Sequence, residues 1–263
     1  MGASEPEGNP DLSIVIITLN EEQRLQNCLD SLPSGVELIV LDSGSSDGTC
    51  AIAEAAGARV YHREFTGYAS QKNAACAHAR RGWIFTVDAD EVLDEELRDA
   101  LHRLCSGTLP DGTDQVAGYA IRRRLVFMNR VMRWGKTADR PVRLFRRARG
   151  RYEGEIHEVL HCDGPVARLK QGRLYHHSYH DLTDYFKRFN RYTSAVADKH
   201  RRQGHRPSLI RHILRPWSEF ISRYFIRLGF LDGYPGYTWA LVSSLYAYVK
   251  YAKLMEPDDG NGG

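Results

Sequence analysis

No run of about 18 uninterrupted apolar residues occurs in this 263-residue chain, so a spanning helix is not expected. The opening residues, MGASEPEGNP, lack the apolar core of a secretory signal. Pro6 stands where a myristoylation motif after Gly2 wants Ser or Thr. The five cysteines (28, 50, 76, 105 and 162) are odd in number and show no paired or metal-type spacing, which suits reduced thiols in a cytosolic protein. No GxGxxG follows the first apolar run, and no GxxxxGK[ST] is present. That argues against a dinucleotide oxidoreductase and a P-loop NTPase. A large excess of one charge is also missing: the net charge is +3. With 42% hydrophobic and 26% charged residues, the composition is that of one large globular domain, or one domain with an appendage.

What is present first is a regular alternation. LSIVIITLN (12–20), VELIVLDSG (36–44), ARVYHRE (58–64) and WIFTVDA (83–89) read as strands. Between them, 21–32, 46–57 and 68–80 carry helical spacing, with Gly57 as a stop. Repeated strand–helix units predict a parallel sheet covered by helices. Ligands bind outside the carboxyl ends of such strands. Three strands end in polar sets there: Thr18-Leu19-Asn20-Glu21, Asp42-Ser43-Gly44 and Asp88-Ala89-Asp90. Past Gly107 the pattern shifts to strands at 117–128 and 140–147 and short irregular pieces over 150–178, and from Asp181 it turns helical.

The fourth strand poses a physical question. It runs straight into three carboxylates, Asp88, Asp90 and Glu91. Like charges a few ångströms apart repel by about 1 kcal/mol in water and several times that near a protein surface. One offset is a solvated loop and a helix N-terminus, which favours acids. The other is a divalent cation. The DSGSSDGT loop (42–49) likewise reads either as an Asx/Ser turn with a cap or as a set of short acceptors for a base or ribose, where glycines let a backbone come close. Lys72 alone reads as a surface lysine.

Taken together, SIVIITLNEE, VLDSGSSDGT, GYASQKNAA and FTVDADE resemble, in order and spacing, the nucleotide-sugar-binding half of glycosyltransferase family 2, which has the GT-A fold. The later segments RLFRR, IHE, DGPV and YHHSYHDLTDYFKRFNRY, with RYFIRLGFLDGYPGY, resemble the lipopolysaccharide core β-glucosyltransferase-like branch. The resemblance covers about residues 11–255. It implies an Asp-x-Asp that holds Mg²⁺ or Mn²⁺ against the donor diphosphate, in keeping with the preference of hard cations for carboxylate and phosphate oxygens. By it, Asp90 is a metal ligand with His157 as a further metal or diphosphate contact. Thr18, Asn20, Glu21, Asp42, Ser43, Lys72 and Asp88 serve the donor, and Glu91 is a helper or only a helix-start acid.

An inverting transfer needs a base for the acceptor hydroxyl. Asp139, Glu153, Glu155, His157 and Glu158 are the candidates, with Glu158 preferred and Asp139 its rival. Between Arg122 and Arg151 stand eleven arginines, one lysine and a single acid, Asp139. Guanidinium forks suit phosphate and carboxylate, so Arg140 and Arg143 are assigned to an anionic acceptor; the plainer reading is a solvated strand face. No nucleic-acid module is present, and nucleic acid is not expected as a partner.

In the helical tail, Arg211, Arg215, Arg223 and Arg227 interleave with Trp217, Phe220, Tyr224, Phe225 and Phe230. Such a pattern packs on the catalytic domain or lies in an anionic membrane interface, and both together are expected: one face docks while some aromatics touch the cytoplasmic leaflet.

The whole reading is an α/β GT-A-type, mostly parallel sheet flanked by helices, with a C-terminal helical appendage. Residues 1–10 and 256–263 are expected to be disordered, 11–178 to form the nucleotide-sugar and acceptor domain, and 179–255 a membrane-associating helical region. The expected activity is metal-dependent, inverting transfer of a hexose, glucose from UDP-glucose, to a lipopolysaccharide-core or other lipid-linked acceptor. The expected place is the inner face of the cytoplasmic membrane. Alternatives are transfer to polyprenyl phosphate and a non-catalytic nucleotide-sugar-binding protein. A sugar-1-phosphate nucleotidyltransferase would want a Gly-rich, Arg-containing loop after strand one, which TLNEEQRL is not.

Overall fold

The apolar runs fold as the strands their composition predicts. β1 (Leu12–Thr18), β2 (Glu37–Asp42), β3 (Arg59–His62) and β4 (Trp83–Thr86) alternate with α1 (Glu22–Asp30), α2 (Thr49–Ala55) and α3 (Tyr68–Ala77). The computed structural model describes residues 10–106, 115–154, 158–179, 181–204 and 209–256. The ends expected to be disordered fall almost wholly outside these residues.

β1 pairs in parallel with β2 and β4, and β2 with β3. Because helices cover both faces, β1 is buried along almost its whole length and mostly apolar: Leu12, Ile14 and Ile16 point into one core cluster and Val15 into the other, while the buried hydroxyls of Ser13 and Thr18 are hydrogen-bonded. Fully burying side chains of this size contributes about 1.5–3 kcal/mol each.

After β4 the chain makes β5 (Glu91–Leu93) and α4 (Glu95–Cys105), then β6 (Gly118–Ala120), β7 (Arg123–Phe127), β8 (Arg130–Val131), β9 (Ala138–Asp139) and β10 (Val142–Arg146). β11 (Gly150–Glu153), β12 (Val159–Cys162), β13 (Val166–Arg168) and β14 (Leu174–His176) follow. The main sheet has seven strands in the order β13-β6-β10-β4-β1-β2-β3. The run β4-β1-β2-β3 is parallel, and β13 pairs in parallel with β6; β10 enters antiparallel between β4 and β6. The sheet is therefore mixed.

Three local readings change. The expected 117–128 strand is two, β6 and β7, broken at Ile121-Arg122. The expected irregular 150–178 region contains four short strands, including the β11–β12 hairpin. Glu91 does not open a helix. It opens β5, and Asp94 caps α4 by accepting from the Leu97 N–H at 2.9 Å.

The described chain divides into two compact units. One holds the residues up to Arg123 together with Asp139–His176, and the other holds Arg124–Ala138 with the chain from His177. The second unit contains α5 (Leu182–Arg202), α6 (Leu209–Ile221) and α7 (Tyr234–Met255). Tyr185, Phe189, Thr193 and Ala197 are buried at successive turns of α5. Its core joins Tyr185 and Phe189 to Leu125, Phe127, Met132 and Val242. Met128 and Asn129, both at positive φ, make the two-residue turn between β7 and β8. The carboxylate of Asp232 accepts the backbone N–H groups of Arg133 and Trp134, fixing that segment to the helices.

Candidate active site

The carboxyl ends of β1, β2 and β4 lie side by side in the first unit, where the strand order predicts a crevice. Register places Thr18 opposite Asp42. The Thr18 hydroxyl donates to Asp42 Oδ1 at 2.9 Å, and the Ser45 hydroxyl donates to the same oxygen at 2.5 Å. Asp42 Oδ2 accepts the N–H groups of Gly44 at 2.8 Å and Ser45 at 2.7 Å. Burial opposes the charge on Asp42, but the bonds from Ser45, Thr18 and Gly44 outweigh it and hold the carboxyl below its usual range. Gly44 sits at φ +98°, a conformation that a side chain would strain.

The loop after β1 is tied to this one. The Asn20 N–H donates to Ser45 Oγ, Asn20 Oδ1 accepts from the Ser46 N–H, and the Glu21 N–H donates to Thr49 Oγ1. Ser43 Oγ accepts from the buried Gln71 amide at 3.0 Å. Thr18, Asn20, Glu21, Asp42 and Ser43 are thus brought together as one rigid pair of loops. Asp42, Cys50 and His62 also put ligand-type atoms within 4.8 Å of one another. Four hydrogen bonds already satisfy the Asp42 carboxylate within the protein.

The end of β4 answers the charge question with cations. Lys72 Nζ, on α3, lies 3.0 Å from Asp88 Oδ1 and 3.0 Å from Glu158 Oε1. Arg143 Nη2, on β10, lies 2.6 Å from Asp88 Oδ2 and 2.6 Å from Glu91 Oε1. Arg123 Nη1 lies 2.9 Å from Glu91 Oε1, and its Nε and Nη2 grip Asp139 at 2.9 and 2.6 Å. Four carboxylates and three cations therefore alternate: Glu158, Lys72, Asp88, Arg143, Glu91, Arg123, Asp139. Glu91 is fully buried, and Lys72 and Arg143 nearly so. Ion pairs this deep persist because each charge has partners on both sides. Burial works against the charge of Asp88, yet Arg143 and then Lys72 hold its carboxyl well below the usual range. Lys72 stays protonated because Asp88 outweighs its burial.

Asp90 stands outside this chain. Its Oδ2 faces His176 Nε2 at 3.3 Å and Arg24 Nη1 at 3.7 Å. β14 pairs antiparallel with β5, with His176 opposite Glu91, and this register delivers the imidazole. Burial disfavours both charged forms. The ion pair overrides it, raising the pKa of His176 and lowering that of Asp90. A cation entering here would displace the imidazole proton; the Asp90 carboxylate would suit Mg²⁺ or Mn²⁺, and the neutral imidazole would add a nitrogen ligand that suits Mn²⁺ better than Mg²⁺. Asp88, both oxygens already paired, is less available. Sequence reasoning missed His176; its only signal was a histidine-rich YHHSYH stretch.

Both candidate bases, Glu158 and Asp139, are ends of the alternating chain. Glu158 is half-buried and Asp139 is 55% exposed. The Arg143 guanidinium is buried and engaged with Asp88 and Glu91, while Arg140 is exposed. Glu153 is exposed on β11. His157 and Glu155 lie outside the described residues.

Residues 13–118 match the family described as glycosyl transferase family 2. The chain is similar to the lipopolysaccharide core biosynthesis glycosyltransferase LpsC of Rhizobium meliloti (strain 1021). Identity is 32% over 257 residues, covering 93% of this chain and 92% of that protein. A glycosyltransferase of Rickettsia bellii (strain RML369-C) is 27% identical over 93% of this chain and 86% of its own length. In fold, the chain resembles the mannosyltransferase PcManGT of Pyrobaculum calidifontis, solved in complex with GDP-Man and Mn²⁺. The TM-score is 0.53 at 14% identity, over 96% of this chain and 89% of that one.

Proposed function

The chain belongs to glycosyltransferase family 2 and is a glycosyltransferase, and we propose that it moves a hexose, glucose from UDP-glucose, with inversion onto a lipopolysaccharide-core or other lipid-linked acceptor. The observation that carries this reading is the juxtaposition of Asp90 and His176 at the end of β4, beside the paired loops after β1 and β2. Asp90 and His176 would hold a divalent cation, Mg²⁺ or Mn²⁺, whose charge would stabilise the departing nucleoside diphosphate.

The chain's own residues do the rest. Thr18, Asn20, Glu21, Asp42 and Ser43 shape the nucleoside side, where loops locked to one another need no reordering when the donor arrives. Asp88 is held in a single orientation by Lys72 and Arg143, facing the ribose or sugar side. Glu158 accepts the proton of the acceptor hydroxyl, its Oε1 oriented by a hydrogen bond from Lys72 Nζ at 3.0 Å. Asp139 is the less suitable base, since both its oxygens are taken by the Arg123 fork. Arg140, exposed beside Asp139, is the guanidinium open to an anionic acceptor. The acceptor is reached at the inner face of the cytoplasmic membrane, whose anionic surface is the partner of the helical unit. No described helix is long and apolar enough to cross a membrane.

The test is a transfer and donor-hydrolysis assay with a panel of nucleotide sugars, with and without Mn²⁺. Turnover of UDP-glucose that requires the cation supports the proposal. Equal turnover in excess chelator, or none with any donor, overturns it.

A further inference from the structure

The helical unit leaves its most apolar face uncovered. On α6, Ile210, Ile213, Leu214, Trp217 and Ile221 are exposed, Ile210 at 71% and Trp217 at 65%. Their spacing sets them on one stripe of the helix. The other side of α6 is already packed. The His212 ring lies 4.6 Å from that of Tyr248, Ser244 Oγ donates to the Pro216 carbonyl, and Phe220 meets Tyr237 edge-on. A surface helix ordinarily turns charges outward; α6 turns out isoleucine, leucine and tryptophan. The exposed apolar surface continues along the chain through Phe225, Ile226, Phe230 and Tyr234. Ring contacts from Phe220 to Phe225 and from Tyr224 to Phe230 join it to α6.

The charge around this face has one sign. Residues 209–255 carry six lysines and arginines against two acids, Glu219 and Asp232. Both acids are engaged within the unit. Glu219 binds Arg223 Nε at 2.7 Å and lies 3.9 Å from Arg215 Nη2, and Asp232 is buried on the N–H groups of Arg133 and Trp134. Arg215 and Arg227 remain exposed.

We propose that this face is a docking surface for an anionic phospholipid bilayer, with the α6 stripe lying in the headgroup–acyl boundary, Trp217 as its aromatic anchor, and Arg215 and Arg227 on the lipid charges. The chemistry favours lipid over the other occupants of a bare apolar face. A second copy seated on the same patch would set these arginines against their own equivalents, which costs affinity. A bilayer instead supplies apolar chains and negative charge together. The inference deepens the membrane part of the proposed function and does not depend on the donor chemistry.

The experiment is flotation of the full chain with vesicles of phosphatidylcholine alone and of phosphatidylcholine with phosphatidylglycerol, alongside light scattering of the free protein. Two variants are compared with the parent: I213S/L214S/W217S, and R215E/R227E. The parent is expected to float with the anionic vesicles and only weakly with the neutral ones. Each variant should lose at least roughly tenfold in partitioning, with unchanged melting temperature and unchanged thermal shift on adding UDP and Mn²⁺. Absent flotation of the parent, equal partitioning of the folded variants, or equal binding to neutral vesicles overturns the proposal. So does a parent dimer that the first variant dissociates without any lipid binding. Failure here with an intact UDP shift leaves the catalytic reading standing; loss of the UDP shift in the parent strikes that reading alone.

Discussion

His176 Nε2 lies 3.3 Å from Asp90 Oδ2, brought there because β14 pairs with β5 with His176 opposite Glu91. On the proposed function, this pair makes Asp90, rather than Asp88, the carboxylate that would hold the cation. Asp90→Asn and His176→Ala are each expected to weaken Mn²⁺ binding by at least roughly tenfold, the scale of losing one good ligand. Calorimetric titration of the protein with Mn²⁺ alone reads this directly. Asp90→Asn should also abolish turnover with little change in melting temperature. Unaltered Mn²⁺ affinity in both variants would remove the pair from the metal assignment.

Glu158 and Asp139 can be told apart by kinetics. Glu158→Gln is expected to lower kcat by about 10²–10⁴-fold, the usual range for a positioned base. Donor affinity, measured by titration with UDP, should barely move. Asp139→Asn should change kcat little. The reverse pattern would make Asp139 the base.

Lys72 lies between two carboxylates and is almost fully buried. Lys72→Met leaves Asp88 and Glu158 without their shared cation. Removing one partner from a buried ion pair costs about 3–5 kcal/mol, so the urea midpoint should fall sharply. A midpoint within error of the parent would mean that the alternating chain contributes nothing to stability.

The donor loop should respond to acid. The pKa of Asp42 is lower in the folded chain than in the unfolded one, because four hydrogen bonds favour its charged form. Its contribution is therefore fully present above the unfolded carboxylate value of about 3.9 and is lost as pH falls through the folded value. Urea midpoints measured from pH 6 downward should decline in this window. Asp42→Asn should start lower and decline less; a parallel decline would assign the acid sensitivity elsewhere.

Sequence and tertiary structure contributed differently. The four first strands and their helices were legible because burial on both faces forces continuous apolar runs, and helices between them keep helical spacing. The loops at residues 18–21 and 42–49 were legible because strand ends in parallel sheets converge. The short strands between β11 and β14 were not, since three or four residues with little apolar pattern obtain their pairing from neighbours far along the chain.

The acidic cluster divides the same way. Asp88, Asp90 and Glu91 announce concentrated negative charge through their position after an apolar strand. Which of them is paired off was decided only by folding. Lys72 arrives on α3, Arg143 on β10 and Arg123 at the start of β7, so Asp88 and Glu91 are neutralised by these cations while Asp90 faces His176 and Arg24. Ion pairing acts through space over a few ångströms, and a sequence records the charges without their distances. Amino-acid order by itself determined the parallel strand–helix core and the place of the crevice. Three-dimensional packing decided the partner of each charge.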